Sequence, residues 1–237
     1  MLFDLLRGNL DFTTAIIQVL AILVIVFLVL PFHEWAHAFT ASKLGDTSVK
    51  YRGRLTLNPM AHIDPIGSLA LLLFGFGWAK PVPIDSRNFK KPKTGMAIVA
   101  LMGPAANIVA AIVGGLIFHA IAAFSTGFFP MVQNGNLYSL NVFGYYLYIF
   151  LRFYITVNCS LAVFNLLPIP PLDGSKILFA FLPDRIVVKF YQYQQVISII
   201  LIALIFSRIL SVPLSWLTGQ VLGFVDWLTA LPFSFVG

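Results

Sequence analysis

One short stretch inside a long apolar run constrains this chain more than any other feature. Residues 31–37 read Pro-Phe-His-Glu-Trp-Ala-His and contain an H-E-x-x-H pattern. The preceding run from Thr13 to Phe32 carries no charged side chain. A run of about 20 apolar residues predicts a helix that spans a membrane. A glutamate and two histidines at membrane depth are costly to place there, so they indicate a functional site.

The spacing of the two histidines predicts a metal site. Each residue of an α-helix turns the chain by about 100° and rises about 1.5 Å. His33 and His37 therefore lie on one face, one turn apart, and both rings can reach a single ion. Glu34, the only glutamate in the chain, lies beside them, where a carboxylate can take a proton from a water that zinc activates. The alternative is a chance pattern or a pair of buried core histidines.

Composition places the chain among helical membrane proteins. Of its 237 residues, 59% are hydrophobic and 10% are charged, whereas soluble domains carry about 25% charged residues. We expect an all-α polytopic protein with about five to six membrane segments, forming a single domain over residues 1–237. The net charge of +6 is attributed to cytoplasmic loops, so nucleic acid is not an expected partner.

The segment between the first two predicted spans carries most of the positive charge. Residues 43–93 hold nine of the 15 lysines and arginines and are expected on the cytoplasmic side. Residues 46–57 mix β-branched and polar positions, which predicts a short β-hairpin. Within residues 64–79, the run from Ile66 to Trp78 is apolar but, at about 13 residues, too short to cross a bilayer. Because positive charge flanks both ends of that piece, we expect a re-entrant segment near the active site, with a spanning helix as the alternative.

Two longer segments complete the core, which we place at residues 13–185. Residues 95–124 predict one span, and residues 138–167 predict its return. The return would bury Arg152, for which the sequence indicates no partner. Residues 186–237 predict peripheral C-terminal helices that cover the site.

A third metal ligand is expected near a proline-rich break. Three prolines between positions 168 and 171 end the return helix. Asp173 then lies on irregular backbone or begins a new helix, where it could serve as a plain N-cap or as the missing ligand. The other candidates are His62, Asp64 and His119, and Asp173 has the most favourable context.

Several motifs together resemble the site-2 protease family of intramembrane zinc metalloproteases. The resemblance is carried by residues 33–37, 58–67, 77–83, 103–107 and 165–174. It covers about residues 15–185 and is closest to the small prokaryotic type without a PDZ or CBS domain. It implies one zinc ion held by His33, His37 and Asp173, with Glu34 as the base.

The resemblance also implies a substrate class and a location. We expect a multi-pass protein of a prokaryotic cytoplasmic membrane that cleaves transmembrane protein substrates within the lipid bilayer. Candidate substrate-binding residues are Asn58, His62, Asn107 and Asn165.

Two other classes of protein stay open at this point. One is a non-catalytic membrane protein that binds clients and keeps a structural metal site, and the intact Glu34 disfavours it. The other is an ion transporter, which the sequence disfavours because it shows no paired repeat of broken helices.

Overall fold

The computed structural model describes residues 12–74, 77–125, 127–133, 136–138, 141–207 and 209–235. Its helices are α1 (Phe12–Leu44), α2 (Ser48–Tyr51), α3 (Pro65–Phe74), α4 (Pro92–Phe124), α5 (Val142–Asn165), α6 (Asp173–Phe179), α7 (Asp184–Gln192), α8 (Gln194–Phe206) and α9 (Ser211–Ala230). Short 3-10 turns occupy Pro59–Ala61, Ser86–Asn88 and Leu231–Phe233. Between α4 and α5, β1 (Met131–Gln133) pairs with β2 (Asn136–Tyr138) in antiparallel orientation.

Three helices, α1, α4 and α5, are long and apolar enough to cross a membrane. Helices α7 and α8 meet at a bend of 67° and add a fourth candidate only if the bent pair counts as one span. The expected five to six membrane segments are therefore not confirmed in the part of the chain that the structure describes. Helix α9 has 20 residues, but Gln220 and Asp226 reduce its apolar character, and length alone overestimates the number of spans.

Helix α1 contains a π-helical segment, Ile25–Val29, directly before the metal motif. The helix is regular again from Leu30 and ends at Gly45, whose φ of 119° is a left-handed conformation that favours glycine. The part of α1 after the π-helical segment is the part that buries His33, Glu34 and His37.

Helix α4 packs against α1, α5, α6 and α9, and two of its glycines permit close approaches to α1 and α9. A Cβ on Gly103 would overlap the Nε2 atoms of both histidines of the motif, and a Cβ on Gly115 would lie 2.7 Å from Thr229 Oγ1. Small residues at such points let neighbouring helices come together. The same helix thus contacts the metal motif and the C-terminal helix.

The prediction of a β-hairpin at residues 46–57 is wrong. This stretch forms the one-turn helix α2, and none of its residues lies in a strand. The Asp46 side chain accepts the N–H of Ser48 at 3.1 Å, and this local bond favours a helical turn over an extended strand. The two strands that do form, β1 and β2, lie in the connection between α4 and α5.

Residues 64–79 do not form a spanning helix. Helix α3 has only 10 residues, about half of what a bilayer requires. The chain then doubles back, so that a Cβ on Gly67 would overlap the carbonyl of Trp78. From residue 77 to 85 the chain has no helix or strand, and Lys80 N–H donates to the His62 carbonyl at 2.7 Å. A re-entrant path stays a prediction, and the short helix with its reversal is compatible with it.

Arg152 has a partner in the C-terminal helix. Its Nη1 atom lies 2.8 and 2.9 Å from the two carboxylate oxygens of Asp226. The guanidinium also lies over the ring of Phe118, 5.6 Å from its centroid. An ion pair therefore joins α5 to α9.

Candidate metal centre

Three buried side chains from distant parts of the chain meet at one point. Helix α1 contributes His33 and His37, and Asp173 is the first residue of α6. Asp173 Oδ2 lies 3.3 Å from His33 Nε2 and 3.1 Å from His37 Nε2. The two Nε2 atoms lie 3.1 Å apart.

These separations fit a tetrahedral metal site. Zinc binds imidazole nitrogen and carboxylate oxygen at about 2.0–2.1 Å, which places two ligand atoms of a tetrahedron roughly 3.3 Å apart. The three measured separations lie between 3.1 and 3.3 Å. One ion at the centre can therefore contact all three atoms.

The outer nitrogen of each histidine fixes which nitrogen faces that centre. His33 Nδ1 lies 2.6 Å from Asn107 Oδ1, and His37 Nδ1 lies 2.7 Å from the Val99 carbonyl. Because a carbonyl oxygen only accepts hydrogen bonds, each Nδ1 carries the proton and each Nε2 directs its lone pair inward. Two neutral imidazoles and one carboxylate form a donor set that suits zinc.

The proline-rich break brings Asp173 to the histidines. Helix α5 ends at Asn165, and a Cβ on Gly174 would overlap the carbonyl of Leu166, so glycine permits the chain to fold back closely. Lys176 Nζ donates to Asp173 Oδ1 at 3.0 Å. The ammonium group occupies one carboxylate oxygen and leaves the other facing the histidines.

Glu34 lies next to the metal-facing residues, but its carboxylate is held by a partner outside that group. Its Oε2 atom accepts the backbone N–H of Val82 at 3.1 Å, and the residue is 8% exposed. Val82 belongs to the irregular segment 77–85 that follows α3. The carboxylate is therefore oriented by this segment and not by the metal ligands.

A cavity of about 450 Å³ opens beside Glu34 and the three metal-facing residues. It lies between α1, the segment 77–84, the end of α5, α6 and α8. Most of the wall is apolar, with contributions from Leu30, Val82, Ile84, Leu161, Phe164 and Leu201. Apolar walls with a few polar groups are typical of binding sites, and these walls suit apolar side chains of a peptide.

Two of the four candidate substrate-binding asparagine and histidine residues lie at or beside the centre. Asn165 lines the cavity and donates from Nδ2 to the Leu161 carbonyl at 3.0 Å. Asn107 is fully buried against His33, and its Nδ2 has no hydrogen-bond partner among the described residues.

The other two candidates are used locally and do not line the cavity. Asn58 accepts the N–H of Met60 at 3.0 Å and caps a 3-10 turn. His62 is 1% exposed and lies 2.8 Å from the Thr56 carbonyl through Nε2. Neither is brought to the metal-facing atoms.

The alternative third ligands also lie elsewhere. Among the described residues, the group that could hold a metal consists of His33, His37 and Asp173. Asp64 accepts the N–H groups at the start of α3, and His119 packs against the ring of Phe118.

Sequence reasoning missed three partners of the site. Val82 and Val99 contribute backbone atoms, and no side-chain signal identifies such contacts. Lys176 lies three residues after Asp173 on one helix, a spacing that brings side chains together and that could have been read from the sequence.

Comparison with known proteins supports these observations. Residues 20–207 match the model of Peptidase family M50. YwhC of Bacillus subtilis, provisionally named a zinc metalloprotease, is 39% identical over 170 residues, which cover 68% of this chain and 69% of that protein. Rip2 of Mycolicibacterium smegmatis, with the same kind of name, is 35% identical over 147 residues. These cover 60% of this chain and 49% of Rip2, so the match spans about half of that relative.

A relative from an archaeon shows the same relationship. MJ0611 of Methanocaldococcus jannaschii, also provisionally named a zinc metalloprotease, is 30% identical over 151 residues, which cover 62% of this chain and 63% of that protein. No solved structure shows significant similarity to the chain. The family match covers most of the sequence and includes the converging histidines and aspartate. The chain therefore belongs to peptidase family M50, the zinc metalloproteases of the site-2 protease type.

Proposed function

We propose that this metalloprotease is an intramembrane endopeptidase that hydrolyses peptide bonds in or near transmembrane segments of other proteins. One observation carries the proposal: His33 and His37, two of the three metal-facing residues, and Glu34 belong to the second half of α1, a helix long and apolar enough to cross a membrane. A site built on such a helix is within reach of substrates that are themselves in the bilayer.

Zinc, one ion per chain, is the proposed cofactor, held by His33, His37 and Asp173. A bound zinc ion supplies a Lewis acid and lowers the pKa of a water molecule. Glu34 is the proposed catalytic base, which takes a proton from the nucleophile and passes it to the leaving amine. The N–H of Val82 bonds to Oε2 of Glu34, so the other carboxylate oxygen is available to hold the proton.

The two asparagines near the centre have different proposed roles. The contact between Asn107 Oδ1 and His33 Nδ1 supports a positioning role, because it fixes the tautomer and orientation of a ligand. Asn165 lines the cavity and is the asparagine placed to contact a substrate backbone.

The segment 77–84 is the proposed surface for an unwound substrate. The N–H groups of Lys80 and Val82 point to His62 and Glu34. Residues 81 and 83 are prolines, which have no N–H to donate. The opposite edge therefore offers carbonyl acceptors, to which N–H groups of an extended substrate can donate as in strand addition.

Orientation and environment complete the proposal. A multi-pass arrangement in a prokaryotic cytoplasmic membrane would place residues 43–93 on the cytoplasmic side. The positive charge of this stretch supports that orientation. The proposed partners are transmembrane protein substrates and the surrounding lipid.

The test uses purified protein in liposomes with a panel of single-span membrane proteins, wild type beside Glu34→Gln, with zinc analysis of both. We expect about one zinc per chain in both samples, cleavage by the wild type alone, and cleavage sites in or near the spans. Cleavage by Glu34→Gln would contradict the assignment of the base. Cleavage only in regions far from the spans would contradict the substrate class. Ion flux without cleavage would favour a transporter.

A further inference from the structure

A buried carboxylate joins the end of α1 to the segment that reaches Glu34. Asp46 is 0% exposed and follows α1 by two residues. Its Oδ2 accepts the Asp85 N–H at 2.7 Å, and its Oδ1 accepts Asn88 Nδ2 at 2.9 Å and Ser48 N–H at 3.1 Å. The bonds to Asp85 and Asn88 connect residues 39 and 42 positions apart in the chain.

These contacts are selective for an ionised carboxylate. Burial alone would raise the pKa of Asp46, but hydrogen bonds from Ser48, Asp85 and Asn88 hold that pKa below its usual value. A buried carboxylate is costly unless its oxygens are satisfied, and here three N–H donors satisfy both. Replacing the carboxylate with an amide would place an NH2 group where an N–H donor already points, so two hydrogen-bond donors would face each other.

Gly45 contributes to the same junction through its backbone. Its φ is 119°, and a Cβ there would lie 2.7 Å from the Asn88 carbonyl oxygen. The left-handed conformation and the close approach both require glycine. The end of α1 is therefore shaped to receive residues 85–88.

The segment that Asp46 anchors also contacts the site. Val82 lies three residues before Asp85, and three residues of extended chain span at most about 10 Å. Val82 belongs to the same buried apolar cluster as Ala38 and Ala41 of α1, and its N–H donates to Glu34 Oε2 at 3.1 Å. So short a connection limits how far Val82 can move relative to Asp85, and therefore how far its N–H can move from the proposed base.

We propose that Asp46 is a positioning residue for proteolysis. It fixes residues 82–88 against the end of α1 and so keeps the Val82 N–H on the Glu34 carboxylate. The inference rests on the proposed function and extends it, because it assigns the orientation of the proposed base to a residue outside the metal cluster. The metal-facing residues lie on α1 and α6, so loosening the segment leaves zinc binding intact.

The test compares Asp46→Ala and Gly45→Ala, which disturb the junction from its two sides. We expect zinc to be retained and kcat on a substrate of the wild type to fall roughly tenfold to a hundredfold, the range for a misplaced catalytic group. KM is expected to change less than kcat. Amide hydrogen exchange of residues 82–88 is expected to accelerate in both variants, whether or not substrate is present.

Two matched controls disturb similar features elsewhere. Asp184→Asn alters an exposed carboxylate that lies 2.7 Å from Lys93 Nζ, outside residues 82–88. Gly53→Ala strains the backbone at a position where φ is 67°. A Cβ added there would have no neighbouring atom within 4 Å. Both are expected to keep kcat and exchange close to wild type.

A double variant separates positioning from a general loss of structure. Asp46→Asn alone sets an amide N–H against a donor and is expected to lower kcat. Adding Asn88→Asp lets the amide Nδ2 at position 46 donate to the new carboxylate while its oxygen accepts from Asp85. We expect kcat to recover in part, because the Ser48 N–H still faces that amide nitrogen. A kcat that is unchanged in zinc-loaded Asp46→Ala, exchange that stays slow, or failure of this rescue would overturn the inference.

The outcomes also separate this inference from the proposed function. Absence of cleavage by the wild type would count against the function, whereas wild-type cleavage with an unaffected Asp46→Ala would count against Asp46 alone. If Asp46→Ala does not fold, Asn88→Ala removes one bond and keeps the buried carboxylate. We expect a smaller fall in kcat there, and an unchanged kcat would overturn the inference.

Discussion

Two polar clusters lie among the apolar helices, and they differ in whether their own groups satisfy one another. In the cluster of His33, His37 and Asp173, three lone-pair atoms face one another at 3.1–3.3 Å, and each histidine uses its proton elsewhere. In the pair of Arg152 and Asp226, a cation meets an anion at 2.8 Å. The cation and the anion of the second cluster satisfy each other, whereas the first cluster presents only acceptors, the arrangement that suits a metal ion. Convergence of acceptors, more than polarity at depth, distinguishes a ligand site from a structural ion pair.

The same substitution in the two clusters is expected to give the largest contrast. Asp173→Asn replaces an anionic ligand with a neutral amide, so zinc affinity should fall at least about a hundredfold, with loss of cleavage. Asp226→Asn should keep zinc and cleavage and lower Tm by roughly 2–4 °C for each kcal/mol lost. Zinc titration against a chelator and thermal unfolding measure the two effects. Equal loss of zinc in both variants would abolish the distinction.

A methyl group added at two positions of α4 is expected to give a similar contrast, with zinc affinity affected at one position and stability at the other. Gly103→Ala introduces a methyl group into the space of both Nε2 atoms, so zinc affinity should fall about tenfold or more. Gly115→Ala places a methyl group 2.7 Å from Thr229 Oγ1, which should reduce stability by about 1–3 kcal/mol with zinc affinity unchanged. The same two assays apply, and weaker zinc binding by Gly115→Ala would contradict the assignment.

The ion pair itself can be tested by removing one or both charges. Arg152→Met or Asp226→Leu alone leaves a partly buried charge without its partner, and each should cost about 1–3 kcal/mol of stability. The double variant should recover part of that loss, because no unpaired charge remains. Unfolding of all three in one detergent measures the coupling. Additive losses would show that the pair does not join α5 to α9 energetically.

The smallest expected effect is at the periphery of the metal cluster. Lys176→Met removes the ammonium group from Asp173 Oδ1, but the lysine side chain is 34% exposed and water can replace it. Zinc affinity should therefore fall only severalfold. Lys189→Met, at an exposed position on α7, removes the same charge and should leave zinc affinity unchanged in the same titration.

The family could be predicted from the sequence because its signals are local. The H-E-x-x-H spacing needs only the repeat of one helix, and the prolines before Asp173 identify a break without any long-range information. The same locality produced the errors. Alternating residue types at 46–57 suggested strands, whereas the carboxylate of Asp46 favours a helical turn, and counting apolar lengths gave more spans than the helices support.

Contacts made by backbone atoms could not be predicted in this way. Val82 reaches Glu34 across 48 residues, and Val99 reaches His37 across 62 residues. Every residue has an N–H and a carbonyl, so the amino-acid type carries no signal for either contact. The parts of the centre that set orientation were therefore hidden, whereas the side chains that face the metal were visible.

The π-helical segment Ile25–Val29 divides α1 into two lengths of regular helix. A π-helical turn holds one residue more than an α-helical turn, so deleting one residue there would restore a regular helix. Because the wide turn absorbs the extra residue, the two halves would keep their relative orientation, whereas deleting a residue from a regular turn would rotate them by about 100°. The segment can thus accommodate a change of one residue in the length of α1 while His33 and His37 keep their direction. Loss of one residue within Ile25–Val29 would therefore shorten α1 without changing its metal chemistry.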